Sequence, residues 1–171
     1  MKLFLIGLPG SGKSTLGKDL SEKLNYPLID TDDVICKKEG CSIEEIFANK
    51  GEDYFRKIES NILKEVIQTN NAIISTGGGT PCFFDNMEVI NQNGLSVFLN
   101  IPLKDITKRL LESVEKNRPL IQGKNPEQVQ KFLMEKLKER ISFYNQANIE
   151  FTDSLVTADM IIEEILRRGL L

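Results

Sequence analysis

Short apolar runs alternate with helical patterns from one end of the chain to the other. The apolar runs predict strands at about residues 2–6, 27–30, 72–76, 95–99 and 149–152. Between them, apolar residues recur at the spacing of a helix face and predict helices near 13–24, 33–39, 43–49, 52–69, 85–92, 103–114, 127–146 and 157–168. Strands that alternate with helices build βαβ units, so the pattern predicts an α/β fold with a parallel sheet.

Two segments enlarge this plan. Residues 31–69 hold two or three helices between the second and third strands. Residues 112–125 form a polar stretch without clear periodicity, and a loop of this kind in a compact domain is often a lid. No repeat, low-complexity stretch or linker divides the sequence, so we predict a single domain over residues 1–171.

Charge and cysteine usage narrow the functional classes. A net charge of −3 and a pI near 5.2 argue against a general nucleic-acid binder, which usually has a basic face. No apolar run approaches the roughly 18 residues of a membrane span, and no charged leader precedes the first strand. The three cysteines have no zinc-type spacing and indicate reduced thiols. We therefore predict a cytoplasmic protein with no nucleic-acid and no membrane partner.

The segment after the first predicted strand has the P-loop pattern G-x-x-x-x-G-K-[ST], here Gly7-Leu8-Pro9-Gly10-Ser11-Gly12-Lys13-Ser14. Backbone N–H groups of such a loop, and the positive end of the helix behind it, point at phosphate oxygens. Lys13 is predicted to reach the β- and γ-phosphates of a nucleotide, and the Ser14 hydroxyl to bind Mg²⁺. An ordinary glycine-rich turn is the weaker interpretation, because a strand and a helix flank the motif as it requires.

Three carboxylates stand at or just after the end of the second predicted strand, at Asp30, Asp32 and Asp33. Ligands of open α/β sheets bind outside the carboxyl ends of the strands, so Asp30 and Asp32 would face the P-loop. One could hold a water molecule on Mg²⁺, and the other could take a proton from an acceptor hydroxyl. The chain has no histidine to do so. An acidic cluster can also cap a helix, which is the interpretation we favour for Asp33.

Glycines and arginines complete the candidate site. The third predicted strand runs into Gly77-Gly78-Gly79, where a bare backbone would let a substrate lie against N–H groups. Arg56 borders the apolar stripe of its predicted helix, with Glu59 inside the stripe as its pairing partner, and Arg140 lies in the long helix near the C-terminus. Two arginines aimed at one cleft suggest an anionic substrate, although either alone also fits a structural ion pair.

The P-loop, the Asp-x-Asp after the second strand, the glycine triplet and Arg118-Pro119-Leu120 in the predicted lid stand in order along the chain. This combination resembles the shikimate kinase family, small members of the nucleoside-monophosphate-kinase-like P-loop fold. The resemblance implies a three-layer α/β/α architecture with a five-stranded parallel sheet in the order 2-3-1-4-5. It also implies transfer of the γ-phosphoryl group of ATP to the 3-hydroxyl of shikimate, with Mg²⁺ as cofactor, by a monomer.

The resemblance assigns roles to individual positions. On the donor side it implies an ATP-phosphate loop of Gly10, Ser11, Gly12, Lys13, Ser14 and Thr15, a metal site of Ser14 and Asp30, and an adenine contact at Arg109. On the acceptor side it implies shikimate contacts from Asp32, Arg56, Gly78, Gly79 and Arg140. Lys13, Asp32 and the lid arginine Arg118 are the implied catalytic residues. The stretch Thr152–Leu155 has no arginine, in contrast to the pattern common in the family for an adenine contact there.

Two alternatives stay open at this point. A kinase for another small hydroxy acid, such as gluconate, would share the loop and the lid. A P-loop switch that holds a nucleotide without transferring phosphate would share only the loop. The acidic and basic residues of the predicted acceptor side count against the switch, because a switch needs no pocket for a small acid.

Overall fold

Five parallel strands form one sheet within the residues that the computed structural model describes, 1–112 and 123–170. The strands are β1 (Lys2–Ile6), β2 (Leu28–Asp30), β3 (Ala72–Ser75), β4 (Leu95–Leu99) and β5 (Ile149–Phe151). Their order is β2-β3-β1-β4-β5, and every neighbouring pair is parallel. The predicted fold class and strand order are therefore confirmed.

Helices fill the connections between the strands. They are α1 (Lys13–Leu24), α2 (Thr31–Glu39), α3 (Ile43–Val66), α4 (Asn86–Asn93), α5 (Leu103–Glu112), α6 (Pro126–Tyr144) and α7 (Ala158–Arg167), with a short 3-10 turn at Thr80–Cys82. The predicted helices at 43–49 and 52–69 are the two parts of α3, which is broken at Gly51 by a non-helical backbone (φ 79°, ψ 172°). No helix among the described residues is long and apolar enough to cross a membrane.

The sheet positions the candidate site because its centre is buried on both faces. Leu3, Phe4, Leu5 and Ile6 of β1 are fully buried, as expected for the central strand of a parallel sheet covered by helices. In register, Ser75 of β3 lies between Leu5 of β1 and Asp30 of β2. The chain segments that leave these three strands therefore start from the same edge of the sheet.

Side-chain caps mark where α2, α3 and α6 begin. Ser42 and Glu45 form a capping box at the start of α3, and Asn125 caps α6. The prediction that Asp33 caps α2 is wrong. The N-cap of α2 is Asp30, whose Oδ1 accepts a hydrogen bond from the Asp32 N–H at 3.1 Å. The helix begins at Thr31, two residues earlier than predicted, which places Asp33 inside its first turn.

Candidate active site

The P-loop leads directly into α1. Gly12 is the N-cap of α1 and has a left-handed backbone (φ 103°), which a residue with a Cβ atom rarely adopts. Glycine has no side chain that could accept hydrogen bonds from the N–H groups of the first helical turn, so these groups are available to bind a phosphate. The Lys13 ammonium lies over the loop, where its Nζ donates to the carbonyl oxygens of Gly7 at 2.9 Å and Leu8 at 3.0 Å.

A cavity of about 590 Å³ opens in front of this loop. Its walls include Gly10, Gly12, Lys13, Ser14 and Thr15 of the predicted ATP-phosphate loop, together with Asp30, Asp32, Gly78 and Arg109. The remaining loop residue, Ser11, has a fully buried side chain. Most of the predicted donor side therefore lines one space.

Ser14 and Asp30 meet at the floor of this cavity. The Ser14 hydroxyl donates to Asp30 Oδ2 at 3.0 Å, while Asp30 Oδ1 caps α2. A hydroxyl and a carboxylate are hard oxygen donors of the kind that Mg²⁺ prefers. No group of three or more acidic, cysteine or histidine side chains that could hold a metal is found in residues 1–112 and 123–170. The pair fits a metal that takes its other ligands from phosphate and water.

Asp32 lines the first cavity and lies next to the glycine triplet. Burial, with the negative charges of Asp30 and Glu59 nearby, raises the pKa of Asp32 to about 6, and the Lys13 ammonium opposes this shift. A carboxylate with this pKa is mostly ionised at neutral pH, yet it holds a proton far better than an ordinary aspartate does. These properties suit a group that accepts a proton from a hydroxyl.

The glycine triplet is the surface against which the charged groups pack. A Cβ atom added to Gly77 would lie 2.7 Å from Asp32 Oδ1, and one added to Gly78 would lie 3.1 Å from Arg140 Nη1. At Gly79 it would lie only 2.4 Å from Nη1 of Arg56. None of the three glycines has a positive φ, so the requirement for glycine here comes from space and not from the backbone conformation.

Arg56 is held on several sides. Its Nη1 donates to Glu59 at 2.8 Å, which confirms the predicted pairing, and Glu59 is almost fully buried. Its Nε and Nη2 donate to Glu52 at 3.2 and 3.0 Å. The guanidinium also lies over the Phe83 ring, 4.1 Å from the ring centroid, where a cation is attracted to the aromatic face. Arg56 is therefore rigidly placed.

Arg140 approaches the glycine triplet from the opposite side, on α6. One turn further along, the fully buried Tyr144 donates its hydroxyl hydrogen to the Gly78 carbonyl oxygen, and its ring packs 4.9 Å from that of Phe98. Burial raises the pKa of the Tyr144 phenol, so the group stays a hydrogen-bond donor. This hydrogen bond joins the helix that carries Arg140 to the triplet.

The two arginines share a second cavity of about 330 Å³. Its apolar walls come from Phe47, Phe83, Phe132 and Phe143, and Pro9 of the P-loop borders this cavity as well as the first. Cys82 packs against the core and also lines this cavity, and burial raises its pKa to about 11, so the thiol stays protonated. A space with two guanidinium groups and apolar walls suits a small cyclic or branched acid.

Arg109 lies at the far side of the first cavity. Its Nη1 donates to the Ser11 carbonyl oxygen at 3.3 Å, and its Nη2 donates to the Ser154 carbonyl oxygen at 2.6 Å. The side chain therefore bridges the P-loop and the segment after β5, which is where the sequence has no arginine of its own. Arg118 and most of the predicted lid at 112–125 lie outside the described residues.

Sequence reasoning missed three residues that shape the acceptor side: Glu52, Phe83 and Tyr144. Glu52 stands four residues before Arg56 on one helix, a spacing that predicts an ion pair and could have been used. Phe83 and Tyr144 carry no comparable signal. Each looks like an ordinary apolar position until the chain is folded.

Comparisons with known proteins agree with this geometry. A family model described as shikimate kinase matches residues 9–169. The shikimate kinase of Azobacteroides pseudotrichonymphae is 47% identical over 166 residues, which cover 96% of this chain and 97% of that protein. The crystal structure of shikimate kinase from Bacteroides thetaiotaomicron has a TM-score of 0.88 at 40% identity, covering 99% of this chain and 96% of that one. The structure of shikimate kinase from Acinetobacter baumannii in complex with shikimate has a TM-score of 0.85 at 32% identity, covering 99% of this chain and 92% of that one.

Proposed function

Since the chain belongs to the shikimate kinase family, we propose that it transfers the γ-phosphoryl group of ATP to the 3-hydroxyl of shikimate, giving shikimate 3-phosphate and ADP. The product lies on the route to chorismate and the aromatic amino acids. One observation carries the assignment of residues. The glycine triplet meets Asp32 at one end and Arg56 at the other, with Arg140 between them, so one carboxylate and two guanidinium groups face a single short stretch of backbone.

The donor side binds and orients ATP. The N–H groups at the start of α1 and the Lys13 ammonium would hold the phosphates, with Gly10, Ser11, Gly12 and Thr15 forming the rest of the loop. An ATP-dependent kinase uses a divalent metal, and we propose Mg²⁺ held by Ser14 and Asp30, whose oxygens fit it. When bound, Mg²⁺ neutralises charge on the β- and γ-phosphate oxygens.

The acceptor side holds the acid and takes its proton. Arg56 and Arg140 would bind the shikimate carboxylate, since a planar guanidinium donates two parallel hydrogen bonds to such a group. Gly78 and Gly79 would give backbone contacts to the ring substituents. Asp32 would accept the proton of the 3-hydroxyl as its oxygen bonds to the γ-phosphorus and the bond to ADP breaks.

Positioning therefore supplies most of the catalysis, because two reactants are held in the geometry of attack. From the sequence pattern we propose in addition that Arg118 closes over the transferred phosphoryl group and that Arg109 lies beside the adenine.

We further propose a monomer that works in the cytoplasm without nucleic-acid or membrane partners. The three cysteines, all unpaired, suit a reducing compartment.

The substrate is tested by ADP release from purified protein with shikimate, gluconate and AMP as separate acceptors. Turnover is expected with shikimate, and a preference for either other acceptor would overturn the proposal. The role of Arg140 is tested by Arg140→Ala, which should raise the KM for shikimate about 10- to 150-fold, the value of hydrogen bonds to a charged group, and leave the KM for ATP unchanged.

A matched control is Lys138→Ala, which removes an exposed positive charge from the same helix. Its KM for shikimate should stay within about twofold of the parent value. If Arg140→Ala weakened ATP and shikimate equally, the carboxylate-binding role of Arg140 would be wrong.

A further inference from the structure

Arg56 is bound by two carboxylates, one buried and one exposed to solvent. Nε and Nη2 donate to Oε1 of Glu52, and Nη1 donates to Oε2 of Glu59. Three of the five guanidinium N–H donors are thus engaged, and two negative charges face one positive charge. A substrate carboxylate that comes to Arg56 therefore meets a guanidinium whose Nε and Nη2 edge already has an acceptor.

The Glu59 carboxylate is fixed in place. Its side chain is 1% exposed, and its second oxygen accepts the Thr80 hydroxyl hydrogen at 2.7 Å. If Glu59 left Arg56, a buried charge would lose its partner, and such a loss is strongly unfavourable. Glu59 is therefore a permanent partner of the arginine.

The Glu52 carboxylate can move away. Its side chain is 57% exposed, against 10% for that of Arg56, so water reaches the pair from the Glu52 side and can solvate this carboxylate when it leaves. Glu52 is also the first residue after the break in α3 at Gly51, where a Cβ atom would meet nothing within 4 Å. Room and solvent are both available to a displaced Glu52 side chain.

Arg56 does not need Glu52 to keep its position. The guanidinium lies 4.1 Å from the centroid of the Phe83 ring and 5.1 Å from that of Phe55, and it packs against the backbone of Gly79. With Glu59 still bound, these contacts hold the group on three sides. Loss of the Glu52 interaction should free one edge of Arg56 without moving it.

We propose that Glu52 is an exchangeable internal counter-ion of Arg56. It occupies the Nε and Nη2 edge of the guanidinium, gives this edge up to the substrate carboxylate, and takes it again as the product leaves. The inference rests on the proposed carboxylate-binding role of Arg56. The exchange lowers the affinity for the acid, since one carboxylate must displace another, and it lets the product go without leaving this edge of Arg56 unpaired.

The test is Glu52→Gln, which keeps the shape of the side chain and removes its charge. Calorimetric titration with shikimate should give a Kd lower than the parent value by up to about fivefold, the range of ion pairs that water can reach. The methyl ester of shikimate has no carboxylate to exchange, so its Kd should not fall. An unchanged or raised Kd for shikimate, or an equal gain for the ester, would overturn the proposal.

Two further variants isolate the cause. Asp53→Asn makes the same charge change at the next, exposed position and should leave the Kd for shikimate unchanged, because an equal gain would show a general field effect. Arg56→Lys should weaken shikimate binding and abolish the gain from Glu52→Gln in the double variant. If Arg56→Lys leaves shikimate binding intact, the proposed role of Arg56 fails. If it weakens binding while Glu52→Gln gives no gain, only the exchange fails.

Discussion

Substitution of Asp32 by asparagine should make the protein more stable and nearly inactive. The pKa of Asp32 is raised from 3.8 to about 6, first by burial and then by the charges of Asp30 and Glu59. The unfolded chain therefore releases this proton at lower pH than the folded protein does. Folding stability contributed by this group is complete below about pH 4 and is lost as the pH rises to about 6 and above.

The size of the effect follows from the shift. A difference of about two pKa units corresponds to at most about 3 kcal/mol of stability lost above pH 7, since each unit is about 1.4 kcal/mol. Asp32 is only partly shielded from solvent, which reduces the expected gain of Asp32→Asn at pH 8 to about 1–2 kcal/mol. The turnover number should fall about 100- to 10,000-fold, because asparagine accepts no proton.

Urea unfolding at pH 4.5 and pH 8 measures the stability of the parent protein and the variant. The gain in folding stability from Asp32→Asn should be present at pH 8 and small at pH 4.5. Asp33→Asn is the matched control, because Asp33 is exposed in the same helical turn, and it should change stability by less than about 0.5 kcal/mol at either pH. Destabilisation by Asp32→Asn at pH 8, or an equal gain at both pH values, would refute the electrostatic argument.

Two more predictions concern the backbone that the substrate would touch. The backbone at Gly79 (φ −91°, ψ −19°) can accommodate alanine, but the new Cβ of Gly79→Ala would lie 2.4 Å from Arg56 Nη1. We expect this clash to displace Arg56. Steady-state kinetics should therefore show the KM for shikimate raised at least about fivefold and the KM for ATP unchanged. An unchanged KM for shikimate would mean that Arg56 moves aside without loss. Tyr144→Phe leaves the Gly78 carbonyl oxygen without its donor, so urea unfolding should show a loss of about 1–3 kcal/mol. Unchanged stability would contradict the importance of that hydrogen bond.

The fold was largely predictable because strands and helices repeat their apolar residues at different spacings along the sequence. The central strands are continuous apolar runs, such as Leu3–Ile6, which can be buried on both faces. The break in α3 was predictable too, since a glycine stands between two apolar patterns. Strand order was not available from periodicity and came from the family resemblance, because pairing depends on contacts between residues far apart in sequence.

The local structure of the site was predictable where residue type and spacing decide it, as at the loop that leads from β1 into α1 and at the Arg56–Glu59 pair. The choice of helix cap failed because Asp30 and Asp33 offer the same carboxylate. Only the point at which the backbone turns into a helix decides between them. Tyr144 occupies an apolar position of its helix in the sequence pattern, which agrees with the burial of its ring. Its hydroxyl contact, 66 residues away at Gly78, exists only in the folded chain.

The glycine triplet has a consequence for changing which acid the enzyme accepts. Charged groups from α2, α3 and α6 all rest on the same three residues, so a side chain added there would disturb Asp32, Arg56 or Arg140. A new acceptor would have to be accommodated at the apolar part of the second cavity, where Phe132 and Phe143 of α6 supply surface. Substitutions at those two phenylalanines could reshape the space for the ring while Asp32, Arg56 and Arg140 stay in place.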